Sequence, residues 1–283
     1  MRHKKFNLVS HDGTFLIGRF WKPKEQPSAA ICIVHGIGEH SERYDAWARH
    51  FCERGFALYA VDLRGHGLSE GKRGHIHHLH EFMDDIDVLV KRCKREQGSL
   101  PLFIYGHSMG GNLVLNFLLK KRQDFAGAIV TSPWLKLKSP PGPFLRRTGR
   151  IMNKIWPRFT VSIGISSSQL TSDKNEQEAC DRDEWMHGRI SLRLFNELDK
   201  ASGEIAGKAS LFEIPFFFAH GDNDEITDPH TTRQLAEEIG ERAEFYNVQG
   251  ALHEVHREPG AGELFENMVK WIDGVLKKEP HDG

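Results

Sequence analysis

The sequence has few cysteines and no long apolar run, and each shortage excludes a class of protein. Only 4 of the 283 residues are cysteines: Cys32, Cys52, Cys93 and Cys180. At least three of the four fall in apolar periodic segments. Such thiols are typical of a reducing compartment, so we expect a cytoplasmic protein without disulfides. No apolar stretch approaches the roughly 20 residues of a membrane-spanning helix, and we expect no signal peptide.

The chain also lacks an excess of charge of either sign. Its 38 lysines and arginines nearly balance its 39 acidic residues, which gives a formal net charge of −1. A nucleic-acid-binding surface concentrates positive charge, and no basic-aromatic RNA motif appears, so we expect no nucleic-acid partner. A chain of 283 residues, 39% of them hydrophobic, suits a single α/β domain with one large core and an insertion.

Histidine is plentiful, with 17 copies, and clusters at 75–80. His77, His78 and His80 suggest a metal site at first sight. Structural zinc, however, needs ligands at separated positions with fixed spacing, and no cysteine or acid pair completes a set here. We interpret the cluster as a polar loop leading into a helix, and we expect the protein to need neither a metal nor a cofactor.

The most informative pattern surrounds a serine. An apolar run at 102–105 precedes the pentapeptide Gly-His-Ser-Met-Gly at 106–110, and an apolar helical pattern follows. A strand, Gly-x-Ser-x-Gly and a helix form the context in which a serine becomes a nucleophile. The pattern therefore predicts that Ser108 is a nucleophile; the alternative is a flexible glycine loop.

A nucleophilic serine needs a base, and the base needs an orienting acid, in the chain order Ser, Asp or Glu, His. The last predicted strand, at 244–248, is followed by Gly-Ala-Leu-His at 250–253. His253 lies in the loop where the base belongs, and His256 is the alternative.

Three aspartates compete for the role of the acid. All three follow a buried strand predicted at 214–219. Asp224 lies where the loop has cleared the strand end. Asp228 precedes a proline and suits the N-cap of the next helix, whereas Asp222 suits a brace within the turn. We therefore predict that Asp224 orients His253.

The tetrahedral intermediate of such a reaction needs two donors aimed at its oxyanion. One is the amide of Met109, directly after Ser108. The other is expected from the loop after the apolar strand at 29–34, where His-Gly-Ile-Gly occupies 35–38. A glycine there lets the backbone approach the substrate, so we predict that the Ile37 amide is the second donor. The alternative is a glycine-rich turn without a role.

The predicted elements begin with a hairpin (6–10 and 15–21) and then alternate. Strands are predicted at 29–34, 57–61, 102–105, 127–131, 216–219 and 244–248, and helices at 44–54, 80–95, 109–122, 231–239 and 263–277. This alternation builds an α/β protein with a mainly parallel sheet and helices on both faces, and its active residues collect at the carboxyl ends of strands.

The alternation breaks between 133 and 207, where there is no strand pattern and prolines recur. We therefore expect a core formed by 1–132 and 208–283, and an inserted helical cap at 133–207 that arches over Ser108. The apolar residues of the cap either line a tunnel for an acyl chain or pack as ordinary cap residues.

The first part of the cap is strongly basic. Seven basic residues and no acid lie between Trp134 and Thr160, interleaved with large apolar residues. The basic residues are Lys136, Lys138, Arg146, Arg147, Arg150, Lys154 and Arg158. Such a segment predicts transient contact with a membrane surface. The alternative is a solvated basic face whose acidic partners lie further along the chain.

Several motifs together resemble the monoacylglycerol lipases. They read HGIGEHSERY at 35–44, DLRGHGLSEG at 62–71, GHSMGG at 106–111, HGDND at 220–224 and GALHEVH at 250–256. The resemblance runs from about 7 to 276 and is weakest between 134 and 207. It implies an α/β-hydrolase fold, a lipid ester as substrate and a triad at the positions matching Ser108, Asp224 and His253.

The resemblance also implies that Glu39, Arg43 and His256 lie around the glycerol headgroup. The alternative is a Glu39–Arg43 ion pair that only fixes the loop.

The predicted function is therefore a serine carboxylic-ester hydrolase acting on monoacylglycerols. A lysophospholipase or a general carboxylesterase would use the same machinery, and a non-enzymatic ligand receptor of hydrolase ancestry is a further alternative. Halide and epoxide hydrolases of this fold use an aspartate nucleophile, and Ser108 argues against them.

Overall fold

A computed structural model describes residues 1–121 and 124–278. Its strands are β1 (Arg2–Val9), β2 (Phe15–Lys22), β3 (Ala29–Val34), β4 (Phe56–Val61), β5 (Leu102–His107), β6 (Gly127–Thr131), β7 (Thr160–Ser162), β8 (Arg189–Ser191), β9 (Phe216–Gly221) and β10 (Ala243–Val248). Its α-helices are α1 (Asp45–Glu53), α2 (His80–Gln97), α3 (Met109–Lys120), α4 (Pro143–Ile155), α5 (Ser167–Leu170), α6 (Lys174–Arg182), α7 (Leu192–Ile205), α8 (Pro229–Ile239) and α9 (Ala261–Lys278).

Eight of the strands form one sheet in the order β1-β2-β4-β3-β5-β6-β9-β10. The pairs from β4 to β10 are parallel, whereas β1 pairs antiparallel with β2, and β2 antiparallel with β4. The predicted hairpin and the mainly parallel sheet are thus confirmed. The carboxyl ends of β3, β5, β6, β9 and β10 meet at one edge of the sheet, which is where ligands bind in open α/β folds.

Helices cover both faces of the sheet, as predicted. The side chains of Ile86 in α2, Val114 in α3 and Leu235 in α8 belong to one buried cluster. The opposite face is covered by α1 and α9, through residues such as Phe51 and Ile272. The central strands are buried along their whole length, which is why they read as continuous apolar runs in the sequence.

The segment 133–207 contains α4 to α7. The prediction that it has no strand is wrong, because β7 and β8 form a small antiparallel pair in which Thr160 lies opposite Ser191. Strands of three residues are too short to leave a period-2 pattern. Helix α7 buries Leu194 and Leu198 in the core, whereas no residue of α4 is buried within the described structure.

Three smaller predictions bear on this fold. Helix α3 was expected to reach Arg122, which lies outside the described residues. In the histidine cluster, the His78 and His80 rings stack on each other at 5.3 Å. Among the residues described, no group of three or more candidate ligands is placed to hold a metal ion. None of the described helices combines the length and apolar character of a membrane span.

Candidate active site

Ser108 occupies a sharp turn between β5 and α3. Its backbone has φ +53° and ψ −118°, a conformation that residues other than glycine rarely adopt. A Cβ atom on Gly106 would collide with the carbonyl oxygen of Gly110, and one on Gly110 with that of Val34. The glycines on either side of the serine are therefore required by the close approach of β3, β5 and α3.

A line of hydrogen bonds runs from this serine to an aspartate. The Nε2 atom of His253 lies 2.8 Å from Ser108 Oγ, and its Nδ1 atom lies 2.7 Å from Asp224 Oδ2. All three side chains are buried, although Ser108 and His253 are 145 residues apart in the sequence. The structure thus brings together the three residues that the sequence singled out, in the geometry of a serine nucleophile, its base and an orienting acid.

The Asp224 carboxylate is held by four further donors. The amides of Ile226 and Thr227 donate to Oδ1 over 2.7 and 3.0 Å. The Thr227 hydroxyl and His220 Nε2 donate to Oδ2 over 2.8 and 2.9 Å. Burial raises the pKa of Asp224, but His253 and His220 together hold it far below its usual range. The acid therefore stays ionised and fixed in orientation.

His253 is the one histidine of the site whose pKa is raised. Its burial lowers the pKa, and the adjacent Asp224 carboxylate raises it by more. The loop that carries His253 is anchored on both sides: Ser132 Oγ donates to the His253 carbonyl over 2.7 Å, and the amide of Glu254 donates to the Leu170 carbonyl over 2.7 Å. The imidazole is consequently set in place before any substrate arrives.

The two competing aspartates have other partners. Asp222 accepts from the Gly250 amide over 2.7 Å and so braces the turn, as the sequence indicated. Asp228 caps α8 by accepting from the His230 amide over 3.1 Å, and it pairs with Lys136 at 3.0 Å. The predicted N-cap is therefore confirmed.

The loop after β3 runs beside the serine. A Cβ atom on Gly36 would lie 3.1 Å from Ser108 Cβ, so only glycine permits this approach without displacement. In the described part of the chain, neither the Ile37 nor the Met109 amide donates to a backbone acceptor. Met109 is the first residue of α3, where an amide has no partner inside the helix. Both amides are thus free to donate to a substrate oxygen near Ser108.

The three residues expected around a headgroup lie close to one another. Arg43 Nε is 3.5 Å from Glu39 Oε2, and the His256 ring stacks on Tyr44 at 5.0 Å. Glu39 lines the cavity above Ser108, whereas Arg43 and His256 lie behind the cavity wall. The ion pair that the sequence left as an alternative is therefore present, and its effect on substrate binding stays a prediction.

A cavity of about 950 Å³ opens above Ser108 and His253. Much of its wall comes from the 133–207 segment, and this wall is rich in apolar side chains. They include Trp134, Leu137, Leu145, Val161, Ile163, Leu170, Ile190 and Phe195. A cavity of this size and character accommodates a long apolar ligand with a small polar group at its end.

The sequence analysis missed four residues that shape the site: Ser132, His220, Thr227 and Glu254. Three of them had a visible signal, because Ser132 and His220 directly follow predicted strands and Glu254 adjoins His253, whereas no pattern in the sequence pointed to Thr227. Glu254 is the next residue after His253 and lines the same cavity. Ser132 and Glu254 bond to residues 121 and 211 positions away, which only the fold brings together, whereas His220 and Thr227 bond to Asp224, four and three positions away.

Comparisons with known proteins agree with this site. A family model described as "Serine aminopeptidase, S33" matches residues 25–260, which include Ser108, Asp224 and His253. The monoglyceride lipase of Homo sapiens is 30% identical over 94% of this chain and 89% of that protein. An abhydrolase domain-containing protein of Dictyostelium discoideum is 32% identical over 94% of this chain, which spans only 28% of that protein's length.

The fold has solved counterparts as well. The crystal structure of the Paleococcus ferrophilus monoacylglycerol lipase superposes with a TM-score of 0.80. The match covers 99% of this chain and 100% of that one, at 26% identity. The likeness therefore extends over nearly the whole chain, including residues 133–207.

Proposed function

The chain belongs to the serine hydrolase family described as serine aminopeptidase S33, and we propose that it hydrolyses monoacylglycerols to a fatty acid and glycerol. The observation that carries the proposal is the hydrogen-bonded line from Ser108 through His253 to Asp224 at the base of a largely apolar cavity. The Homo sapiens and Paleococcus ferrophilus relatives, whose names denote monoglyceride and monoacylglycerol lipases, support the choice of substrate.

The reaction proceeds through an acyl-enzyme. His253 Nε2 takes the proton of Ser108 as Oγ attacks the ester carbonyl carbon and forms a tetrahedral intermediate. The bond to the glycerol oxygen then breaks, and His253 gives its proton to that oxygen. Water, deprotonated by His253, attacks the acyl-enzyme in the same way, so the fatty acid leaves and Ser108 recovers its proton.

The surrounding groups stabilise the charges that appear during this reaction. The amides of Ile37 and Met109 donate to the oxyanion, and an equivalent donor typically contributes about 10²- to 10³-fold in rate. Asp224 keeps Nδ1 of His253 protonated and stabilises the imidazolium. In this account Ser108, Asp224 and His253 are the catalytic residues.

The glycerol headgroup is bound near Glu39. Among the described residues, Glu39 Oε2 is buried without a hydrogen-bond partner, which makes it a ready acceptor for a hydroxyl group. Arg43 lies behind Glu39, and hydrogen bonds from the Gly36 amide and the Tyr44 hydroxyl to Oε1 fix its position. The His256 ring stacks on Tyr44. Replacing Glu39 with alanine should therefore lower activity on monoacylglycerol more than activity on simple alkyl esters, and an equal loss on both would contradict this role.

We further infer that residues 133–207 form a cap and that α4 docks it on membranes. The large apolar side chains of α4 and the turn after it are exposed; Phe144 is 79% exposed and Trp156 is 61% exposed. Arg146 and Arg150 both pair with Asp199 on α7, at 2.6 and 3.3 Å. Part of the basic charge therefore has an acidic partner further along the chain, and Arg147 and Lys154 are the better residues to test.

The docking test uses vesicles that contain an anionic lipid and monoacylglycerol. The variant Arg147→Glu with Lys154→Glu should lose activity on these vesicles and keep the wild-type rate on a short soluble ester. A matched control reverses the charge of the two lysines at the end of α9, Lys277→Glu with Lys278→Glu. It should match the activity of the wild type on the vesicles and on the soluble ester. Equal activity of all three proteins on vesicles at low salt would contradict docking through α4.

The substrate proposal is tested by comparing kcat/KM for 1-oleoylglycerol, oleoyl lysophosphatidylcholine, triolein, ethyl oleate and a leucine anilide. We expect 1-oleoylglycerol to give the highest value. A higher kcat/KM for lysophosphatidylcholine would indicate a lysophospholipase. Equal kcat/KM values for the glycerol and ethyl esters would indicate a general carboxylesterase. Hydrolysis of the anilide alone would indicate a peptidase. If none of the five compounds is turned over, the protein would be a receptor.

A further inference from the structure

Two buried carboxylates share one guanidinium group beside Ser108. Arg43 Nη2 donates to both carboxylate oxygens of Glu254, over 3.0 and 2.7 Å, and Arg43 Nε lies 3.5 Å from Glu39 Oε2. The side chains of all three residues are no more than 4% exposed. Glu39 and Glu254 both line the cavity that contains Ser108, whereas Arg43 lies behind them.

The nearest other cation is already engaged. Arg257 lies 3.7 Å from Glu254 but forms a closer ion pair with Glu176 of α6, and it donates a hydrogen bond to the Arg43 carbonyl. With both carboxylates ionised, the Glu39–Arg43–Glu254 cluster carries one net negative charge, and its side chains are buried. Two arginines are among the described residues that line the cavity, Arg146 and Arg150, and both are paired with Asp199 of α7.

The pKa of Glu254 agrees with a crowded negative site, whereas Glu39 is compensated by its cationic neighbours. Burial raises the pKa of Glu254, Arg43 lowers it and Glu39 raises it again, with a net rise. Burial also raises the pKa of Glu39, but Arg43 and His35 bring it below its usual range. The one guanidinium therefore cannot fully compensate both carboxylates, so a further negative charge at this place is unfavourable.

We propose that Glu254, through the guanidinium it shares with Glu39, makes this end of the cavity select uncharged alcohol headgroups over phosphorylated ones. The inference deepens the proposed function and rests on it. A hydroxyl group finds carboxylate acceptors here. A phosphate that enters here loses its hydration and meets two carboxylates, and the cations nearby are already paired. The carboxylates therefore repel the phosphorylated ester, and this repulsion lets the site discriminate between the two headgroups. Repulsion between charges is strong where the surroundings exclude water.

The test compares 1-hexanoylglycerol with 1-hexanoylglycerol 3-phosphate, both kept below the concentrations at which they aggregate. Short soluble esters remove any effect of a lipid surface, and with it any effect of the basic helix α4. The measured quantity is the ratio of kcat/KM for the neutral ester to that for the phosphorylated one. The proteins compared are the wild type, Glu254→Gln, Glu254→Asp and the control Glu225→Gln, which neutralises an exposed glutamate on the wall of the same cavity.

We expect the wild type to prefer the neutral ester and Glu254→Gln to lower that preference about tenfold, because the charge is lost while a hydrogen bond to Arg43 is kept. Glu254→Asp should lower it less, since it keeps the charge. Glu225→Gln should stay within about twofold of the wild type, because an exposed charge is screened. An unchanged ratio in Glu254→Gln, or an equal change in Glu225→Gln or Glu254→Asp, would overturn the proposal.

Folding of each variant is checked by its thermal unfolding midpoint. If Glu254→Gln does not fold, Glu39→Gln, which removes the other carboxylate of the shared pair, must lower the preference in its place. The two proposals fail in different ways. A wild type that does not hydrolyse 1-hexanoylglycerol contradicts the proposed function, whereas one that does so without preferring it to the phosphorylated ester contradicts only the role of Glu254.

Discussion

His220 Nε2 donates a hydrogen bond of 2.9 Å to Asp224 Oδ2, the same oxygen that His253 contacts at 2.7 Å. The Asp224 carboxylate is therefore held between two imidazoles. Burial lowers the pKa of His220 more than Asp224 raises it, so this second imidazole is neutral. Its Nδ1 atom accepts from the Thr232 hydroxyl over 2.8 Å, which leaves Nε2 as the donor toward Asp224.

We predict that His220→Ala lowers kcat by about 10- to 100-fold on a soluble ester, the effect of losing one hydrogen bond to a charged group. KM should change little, because His220 does not line the cavity. Steady-state kinetics of the purified variant check this. A loss as large as that of Asp224→Asn would mean that His220 is essential to the chemistry, and an unchanged kcat would mean that it does not position the acid.

Substitutions of the two aspartates in the loop after β9 should have very different effects on kcat. Asp224→Asn should lower kcat by about 10⁴-fold, because an amide at this place favours the wrong tautomer of His253. Asp222→Asn should keep most of the activity, since Asp222 accepts from the Gly250 amide and the Asn247 side chain and has no contact with His253 among the described hydrogen bonds. Parallel kcat measurements decide the assignment. If Asp222→Asn is the more damaging of the two, Asp224 is not the acid.

The pH dependence of kcat/KM should report the ionisation of His253. The base must be neutral to accept the Ser108 proton, and its pKa in this site is raised above 6.5. Activity should therefore fall as the pH drops through a midpoint above 6.5. In Asp224→Asn the raising charge is lost, so the midpoint of the residual activity should move to lower pH. A midpoint that stays in place would contradict the link between Asp224 and His253.

Two glycine substitutions test the local geometry in opposite directions. Gly110→Ala should destabilise the fold or prevent folding, because the added methyl group collides with the Val34 carbonyl behind the Ser108 turn. Gly149→Ala lies in exposed α4 with open space around it, and should stabilise that helix by about 0.5–1 kcal/mol. Thermal unfolding midpoints measure both effects. A stable, fully active Gly110→Ala would contradict the tight turn.

The sequence predicted the strands of the core well because their apolar runs are long and separated by turn signals. Ser108, Asp224 and His253 could be singled out for a related reason, since each follows a strand in an order that the fold imposes. The strands β7 and β8 could not be predicted, because three residues leave no pattern. The contacts of Glu254 with Arg43 and of Arg146 with Asp199 join residues 211 and 53 positions apart, and only the folded chain brings them together.

The central claim is that Ser108 attacks the ester bond of a monoacylglycerol. The most direct measurement is the release of glycerol and oleate from 1-oleoylglycerol by the wild type and by Ser108→Ala, whose unfolding midpoint is checked to match. We expect the wild type to release both products in equal amounts, and the variant to be slower by about 10⁴-fold or more. Release of both products by the folded variant at a rate near that of the wild type would contradict the account.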